Sequence, residues 1–304
     1  MYQHLPTIIK ELCNMINRKK ETAQGILYIL PSFILILTFS IVPIMMSLYF
    51  SFTKYNVLQR PEWVGLQNYL RMFKDPRIAV SLKNTVIFTA ITVPMQTILS
   101  LVLAAVIADY FRNKFGNFVK SSLFVPVIAS AVLVGTLWST MLSPRGVVNS
   151  LLNVLGMPSV NWLGDKLNSM LSVCTAIIWK NVGYFLVIYY AGIMDIPRSL
   201  YEAAEVDGAS IMQRFFKITL PCLSNVTFLV VTLGTIWSFQ VFDLVYTMTG
   251  GGPGTSTLTL VLTIYNAAFK EYDMGYSSAV AMLMFVFVLG ISGIQKLLLK
   301  GREE

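Results

Sequence analysis

The sequence predicts an all-α, polytopic membrane protein with six transmembrane helices. The 304-residue chain is 55% hydrophobic and only 12% charged, and its mean hydropathy of +0.66 is a level that soluble domains rarely reach. Its apolar residues are gathered in long runs, which a soluble core does not need. A membrane-crossing helix takes about 20 mostly apolar residues. Six such runs occur, at 26–52, 85–108, 121–142, 170–192, 223–247 and 276–299. The remainder is too short for a separate soluble domain.

In chain order, residues 1–25 form a polar N-terminal segment. The run that follows is too long for the apolar stretch of a signal peptide and lacks a clear small-residue cleavage site, so it is expected to stay as the first membrane helix. Six spans put both termini on one side. "NRKK" at 17–20 precedes the first span, and the segments on its side carry more Lys and Arg than the others, although 53–84 is itself basic. The termini are therefore expected in the cytoplasm. The chain divides into the first helix with its outer loop (26–84), a core of five helices (85–299) and a short tail (300–304). The outer loops at 53–84, 143–169 and 248–275 hold turn formers such as "SPRG" and "GGGPG" and the amphipathic piece "VVNSLLNVLG". Pro43, Pro94 and Pro126 fall within spans and are expected to kink them.

Several function classes are disfavoured. The net charge of +8 fits bases flanking spans rather than a face for nucleic acid, since little soluble surface remains to present one. Cys13, Cys174 and Cys222 are far apart and form neither a metal-ligand set nor a disulfide framework. With His4 the single histidine, a His-based metal site or a Ser-His-Asp triad within the chain is not expected. "GGGPG" at 250–254 has no following Gly-Lys-Ser/Thr, so it reads as a glycine turn and not a phosphate loop. No catalytic residue, cofactor or metal is assigned to this chain.

One charged stretch lies between the fourth and fifth runs: "YEAAEVDGASIMQRFFKITLP" at 201–221. "IPRSLYEAAEV" reads as a short helix, with Pro197 in its first turn and Glu202 and Glu205 early, where the helix dipole favours acids. Asp207-Gly208 breaks it. A second helix, "ASIMQRFFKI", lines up Ala209, Met212, Phe215 and Phe216 on one apolar face, and Pro221 precedes the fifth span. By pattern alone this helix could lie in the lipid headgroups or dock on a protein.

The letters discriminate. Glu202-Ala203-Ala204, then Gly208, Ile218 and Leu220-Pro221 at fixed spacing, reproduce the EAA motif. The chain thereby resembles the permease subunits of binding-protein-dependent ABC importers. "WVGLQNYLRMFKDPRI" at 63–78, "WKNVGYFLVIYYAGIMDIPRSLYEAA" at 179–204 and "FDLVYTMTGGGPGTSTLTLVLTIYNAAFKEYDMGYSSA" at 242–279 resemble the carbohydrate, maltose-transporter-type branch. The resemblance implies a type I ABC importer permease fold and a coupling helix at 196–221 that docks on an ATPase. Glu202, Ala203, Ala204, Glu205, Asp207, Gly208, Ala209, Met212, Phe215, Phe216, Ile218, Leu220 and Pro221 are the coupling residues it implies. It also implies a second, different permease, two ATPase subunits holding ATP and Mg, an extracytoplasmic solute-binding protein and a sugar substrate, in a bacterial cytoplasmic membrane.

Polar residues inside spans are costly and usually face a cavity or another helix. Asn181, Tyr184, Trp237 and Gln240 are candidates for a solute path, with Lys180, Asp243, Trp179 and Phe239 as weaker ones. Two rivals remain. A self-sufficient secondary transporter usually shows midplane acids and repeats, whereas Asp109, Asp195 and Asp243 lie near span ends. The lack of a histidine or metal cluster in the spans argues against an intramembrane enzyme, with an aspartyl or serine site left open.

Overall fold

The structure is a computed structural model and describes residues 26–111 and 113–300. The basic segment with "NRKK", His4 and Cys13, residue Arg112 and the tail beyond 300 lie outside the described residues. Four helices are single candidate spans and two bent helix pairs supply the others, so up to six spans are present.

Helix α1 (Ile26–Ser51) contains a π-turn at Leu37–Ile41, just ahead of Pro43. Proline removes one backbone donor and crowds the preceding turn, and the wider turn accommodates it. A two-stranded antiparallel pair, β1 (Thr53–Lys54) and β2 (Glu62–Trp63), follows, then α2 (Gln67–Lys74). Helix α3 (Pro76–Tyr110) begins nine residues before the predicted span at 85–108. Asp75 caps it by accepting from the Arg77 backbone N–H, and Pro76 occupies the first turn. These 35 residues extend about 52 Å, well beyond a hydrocarbon core of about 30 Å. Pro94 lies inside α3 without breaking it.

The third predicted span is not one rod. Helices α4 (Lys114–Ile128) and α5 (Ala131–Met141) meet at 99°. Ala129 and Ser130 are extended at the bend, three residues after Pro126. After α6 (Val147–Val154), α7 (Lys166–Met194) crosses in one piece. The charged loop that follows holds α8 (Arg198–Val206) and α9 (Ile211–Cys222), and α9 joins α10 (Ser224–Phe239) at 69°. The predicted fifth span at 223–247 stops at Phe239. The chain breaks over residues 240–242 and restarts as α11 (Asp243–Met248), where Asp243 sits favourably in a first helical turn. Helix α12 (Leu260–Lys270) occupies the predicted outer loop at 248–275, and α13 (Met274–Lys300) closes the fold.

Helices α3 and α7 form the centre. Small Ala104, Ala105 and Ala108 let the large Phe185 and Tyr189 pack closely in one buried cluster. A second cluster joins Phe88, Val173 and Ile177 to Val245 and Leu262. The glycine-rich turn has positive φ at Gly250, Gly251 and Gly254. It is pinned to α3 because Asn84 Nδ2 donates to the carbonyls of Thr255 (2.8 Å) and Leu258 (3.0 Å). The glycine-turn reading therefore holds.

At the same end, charges tie α2 and α3 to α13. Arg71 pairs with Asp273 at 2.5 Å. Arg77 pairs with Asp75 at 2.9 Å and also with Glu271. Tyr276 Oη donates to Asp75 at 2.8 Å. Burial pushes the Asp75 carboxyl up, but the bonds from Arg77 and Tyr276 outweigh it and hold the group below the ordinary carboxylate value. A carboxylate held low in the fold contributes stability that is complete above its unfolded pKa of about 4 and lost as pH falls through the lower folded value. Thermal melts should therefore be flat from neutral pH down to about pH 5 for this clamp and decline below about pH 4. Asp75→Asn should be less stable at neutral pH and lose part of the acid-dependent decline. An unchanged melt at neutral pH would remove the clamp from the account.

Candidate functional site

The charged loop between α7 and α10 folds from local signals. Arg198 and Glu202 face each other one turn apart on α8, at 3.6 Å. Gly208 then takes φ +74°. Its N–H bonds the Glu205 carbonyl (3.0 Å), and the Ala209 N–H bonds the Ala204 carbonyl (2.9 Å), which is the paired closure of a Schellman end. Ser210 at once starts α9 with a capping box. Its hydroxyl accepts from the Gln213 N–H, and its own N–H donates to Gln213 Oε1 at 2.8 Å. Tyr201 Oη and Thr219 Oγ1 meet at 2.9 Å, and Arg214 pairs with Glu205. The two short helices are thus capped at their junction and cross-tied.

The predicted coupling residues fall into distinct places. Glu202, Ala203, Glu205, Asp207 and Gly208 are exposed, and Ala204 is half-buried. Ala209 belongs to the turn rather than to α9. Met212 (66% exposed) and Phe216 (57% exposed) face outward. Phe215, expected beside them, is half-buried and packs inward against the cluster around Tyr189 and Leu223, together with Leu220. Ile218 is half-buried and Pro221 is exposed. Phe215 and Phe216 are neighbours about 100° apart around the helix, so one meets the core while the other faces out; the π-turn at Phe215–Thr219 shifts only the residues that follow. Ile211 and Val206, absent from the predicted set, join the exposed apolar face. Beneath the loop lies a cavity of ≈ 360 Å³ bordered by Asp109, Tyr110, Tyr201 and Phe215.

Gly208 is the sharpest local constraint. An added Cβ would meet nothing within 4 Å, so a substitution is opposed by its positive φ rather than by crowding. Gly208→Val should cost about 1–2 kcal/mol through that backbone geometry, and transport should fall while membrane insertion persists. Gly208→Asn should retain more transport, since Asn tolerates the left-handed region. Equal transport by Gly208→Val and the parent at matched expression would refute the role.

A second feature lies within the membrane. Asn181, Trp237 and Gln240 line one cleft of ≈ 200 Å³ together with Lys180, Asp243 and Ala131. The breaks after α4 and after α10 both border it, consistent with irregular backbone at membrane depth being tolerated where it is buried in protein or lines a cavity. Lys180 Nζ reaches the broken end of α4 and donates to the carbonyls of Val127 (3.1 Å), Ala129 (3.1 Å) and Pro126 (3.4 Å). A cation at a helix C-terminus also suits the helix dipole. Tyr184 stands behind the cleft, packed on Trp237 at 4.9 Å between ring centres. Trp179 packs edge-on against Trp138, and Phe239 is buried in the protein. The structure thus gathers Asn181, Trp237 and Gln240 and leaves Tyr184 as their support.

A helical bundle with a polar cleft between two broken spans, and a rigid capped helical hairpin at one face, defines a membrane transport subunit. The chain belongs to the family of binding-protein-dependent transport system inner membrane components, whose model matches residues 23–303. It is 34% identical over 296 residues to the probable ABC transporter permease protein YurN of Bacillus subtilis, covering 95% of this chain and 100% of that one. It is also 34% identical to the trehalose/maltose transport system permease protein MalF of Thermococcus litoralis, over 90% of this chain and 92% of that protein. A chain of a bacterial alginate ABC transporter, solved in complex with an alginate pentasaccharide-bound periplasmic protein, superposes with a TM-score of 0.80 at 25% identity, over 91% of this chain and 95% of that one. The expected importer permease fold and the family reading of the EAA motif hold, and the self-sufficient secondary transporter falls away.

Proposed function

We infer that this chain forms half of the translocation pathway of an ATP-driven sugar importer and links that pathway to a cytoplasmic ATPase through the EAA loop. The observation that carries the reading is the capped, cross-tied hairpin α8–α9, which presents Val206, Ile211, Met212 and Phe216 to the outside of the fold. Exposed apolar side chains on a rigid mount suit a protein partner, where buried anchors dominate binding. The cleft offers the hydrogen-bonding groups of Asn181 and Gln240 and the ring of Trp237 for a hydroxylated solute. The trehalose/maltose name of one relative and the alginate ligand of the solved transporter support a sugar as the solute. The assembly contains a second, different permease, two ATPase subunits that bind ATP and Mg, and an extracytoplasmic binding protein. Both termini face the cytoplasm.

The test is made on the assembled complex. The chain should purify with a soluble ATPase, and hydrolysis should rise when a sugar-loaded binding protein is added. Hydrolysis indifferent to every loaded binding protein would overturn the reading. Single cysteines placed in 201–221 and in 249–257, in a chain lacking its native cysteines, should be labelled by an impermeant thiol reagent from opposite sides. Labelling from one side would overturn the orientation.

A further inference from the structure

Helix α2 divides its surface three ways. Asn68 and Met72, one turn apart, are buried against the protein. Asn68 Nδ2 donates to the carbonyls of Ser51 (2.9 Å) and Thr53 (2.8 Å), and Met72 enters the cluster with Tyr276 and Val280. Gln67, Arg71 and Lys74, at i, i+4 and i+7, form a polar flank. Leu66, Leu70 and Phe73 share the remaining direction at the same spacing and are 62%, 61% and 79% exposed. Nothing among the described residues covers this third face, and the protein already holds α2 by the first.

The surroundings indicate what covers it. α2 lies between the last turn of α1 and the first turn of α3, both of them spans, and Arg71 ties it to Asp273 just before α13 begins. It therefore stands where the spans leave the membrane. Trp63, also exposed, stacks on Phe52 at 5.5 Å and leans on Tyr49 of α1 at 6.2 Å. The apolar face thus continues from the outward-facing side of α1 through an aromatic cluster of the kind that marks a membrane–water boundary. Lys74 on α2, and Lys54 and Arg60 in the adjoining β1–β2 segment, are exposed, as suits anionic lipid headgroups.

We propose that α2, with Trp63, is an interfacial lipid anchor: Leu66, Leu70 and Phe73 enter the headgroup–acyl boundary while Gln67 and Lys74 stay in water. A helix of this kind is held by its buried apolar area together with its basic flank. Through Asn68, Arg71 and Met72, the anchor would fix the outer ends of α1, α3 and α13 relative to the bilayer surface.

The test uses the full chain, with the subunits that purify with it, in bilayers of phosphatidylethanolamine and phosphatidylglycerol. Nitroxide labels are placed singly through Leu70→Cys, Phe73→Cys, Gln67→Cys and Lys74→Cys, with the native cysteines replaced. Collisions with oxygen, which concentrates in lipid, are compared with collisions with a water-soluble nickel chelate. Positions 70 and 73 should favour oxygen several-fold, and positions 67 and 74 should show the reverse order. If 70 and 73 meet the nickel chelate as readily as 67 and 74, the face is in water and the proposal fails. If 70 and 73 are shielded from both reagents, a protein covers the face, whether a neighbouring subunit or the binding protein, and the proposal also fails. Unlabelled protein supplies a second reading. Brominated lipid should quench a tryptophan component that Trp63→Phe removes; equal quenching in both proteins would overturn the anchor.

Discussion

Replacing Met212 and Phe216 together with alanine is expected to weaken ATPase binding by tens-fold or more and to abolish substrate-stimulated hydrolysis. Both side chains point out of the fold, and an anchor of this type contributes about 2 kcal/mol or more when a partner buries it. Each 1.4 kcal/mol is roughly a factor of ten in affinity. Phe215→Ala separates the interface from its mount. Phe215 packs inward beside Leu220 and Leu223, so its loss should lower the melting temperature more than the affinity. Co-purification from detergent, where no bilayer surface remains, measures the affinity, and a thermal melt of the same preparation measures the stability. Full ATPase recovery by the double variant, with normal stimulated turnover, would rule out this docking face.

Lys180→Met is expected to lower the melting temperature of the detergent-solubilised protein and to reduce transport at least tenfold while leaving ATPase binding intact. The methionine keeps most of the side-chain volume but removes the donor that serves the carbonyls of Val127, Ala129 and Pro126. A buried carbonyl left without a donor costs about 1–3 kcal/mol, and the break between α4 and α5 sits beside the cleft. Lys180→Arg should preserve much of both properties, because it keeps the charge and the donors. Parent-like stability and transport in Lys180→Met would show that the break does not depend on this residue.

The number of spans was legible because lipid demands long apolar runs, and each of the six runs maps to a span or a bent pair. The bends were not legible. Runs 121–142 and 223–247 hold only isolated polar residues, Ser130 and Gln240, in their breaks, too few to interrupt the apolar average, and hydropathy records what dissolves in lipid, not whether the backbone stays helical. The donor that makes the first bend tolerable, Lys180, is more than fifty residues away in sequence. Within the loop, Gly208 was readable from its residue type, and its φ of +74° agrees. The facing of Phe215 was not, because Phe215 and Phe216 lie about 100° apart on a helix and the sequence does not say which of the two meets the core around Tyr189 and Leu223. For the cleft, polar residues in apolar runs marked Asn181 and Gln240. Their meeting in one wall, with Tyr184 behind it, depends on how α7 packs beside α10.

The closed hydrogen bonding of the α8–α9 junction has a mechanical consequence. Parts joined in series deform first where they are softest. The hairpin holds its turn by backbone bonds, a capping box and two cross-ties, so a push at Phe216 cannot be absorbed there without breaking several of them. The load passes to the next joint, the 69° corner at Leu223. Beyond that corner α10 is a straight arm of 16 residues, about 24 Å long, so that a pivot of about 5° displaces its far tip by roughly 2 Å. That tip is Phe239, and the residues that follow it, Gln240 to Asp243, are the cleft wall. On the coupling proposed above, stiffness at one face would become displacement at the other, with the short break after Phe239 as the indicator at the end of the lever.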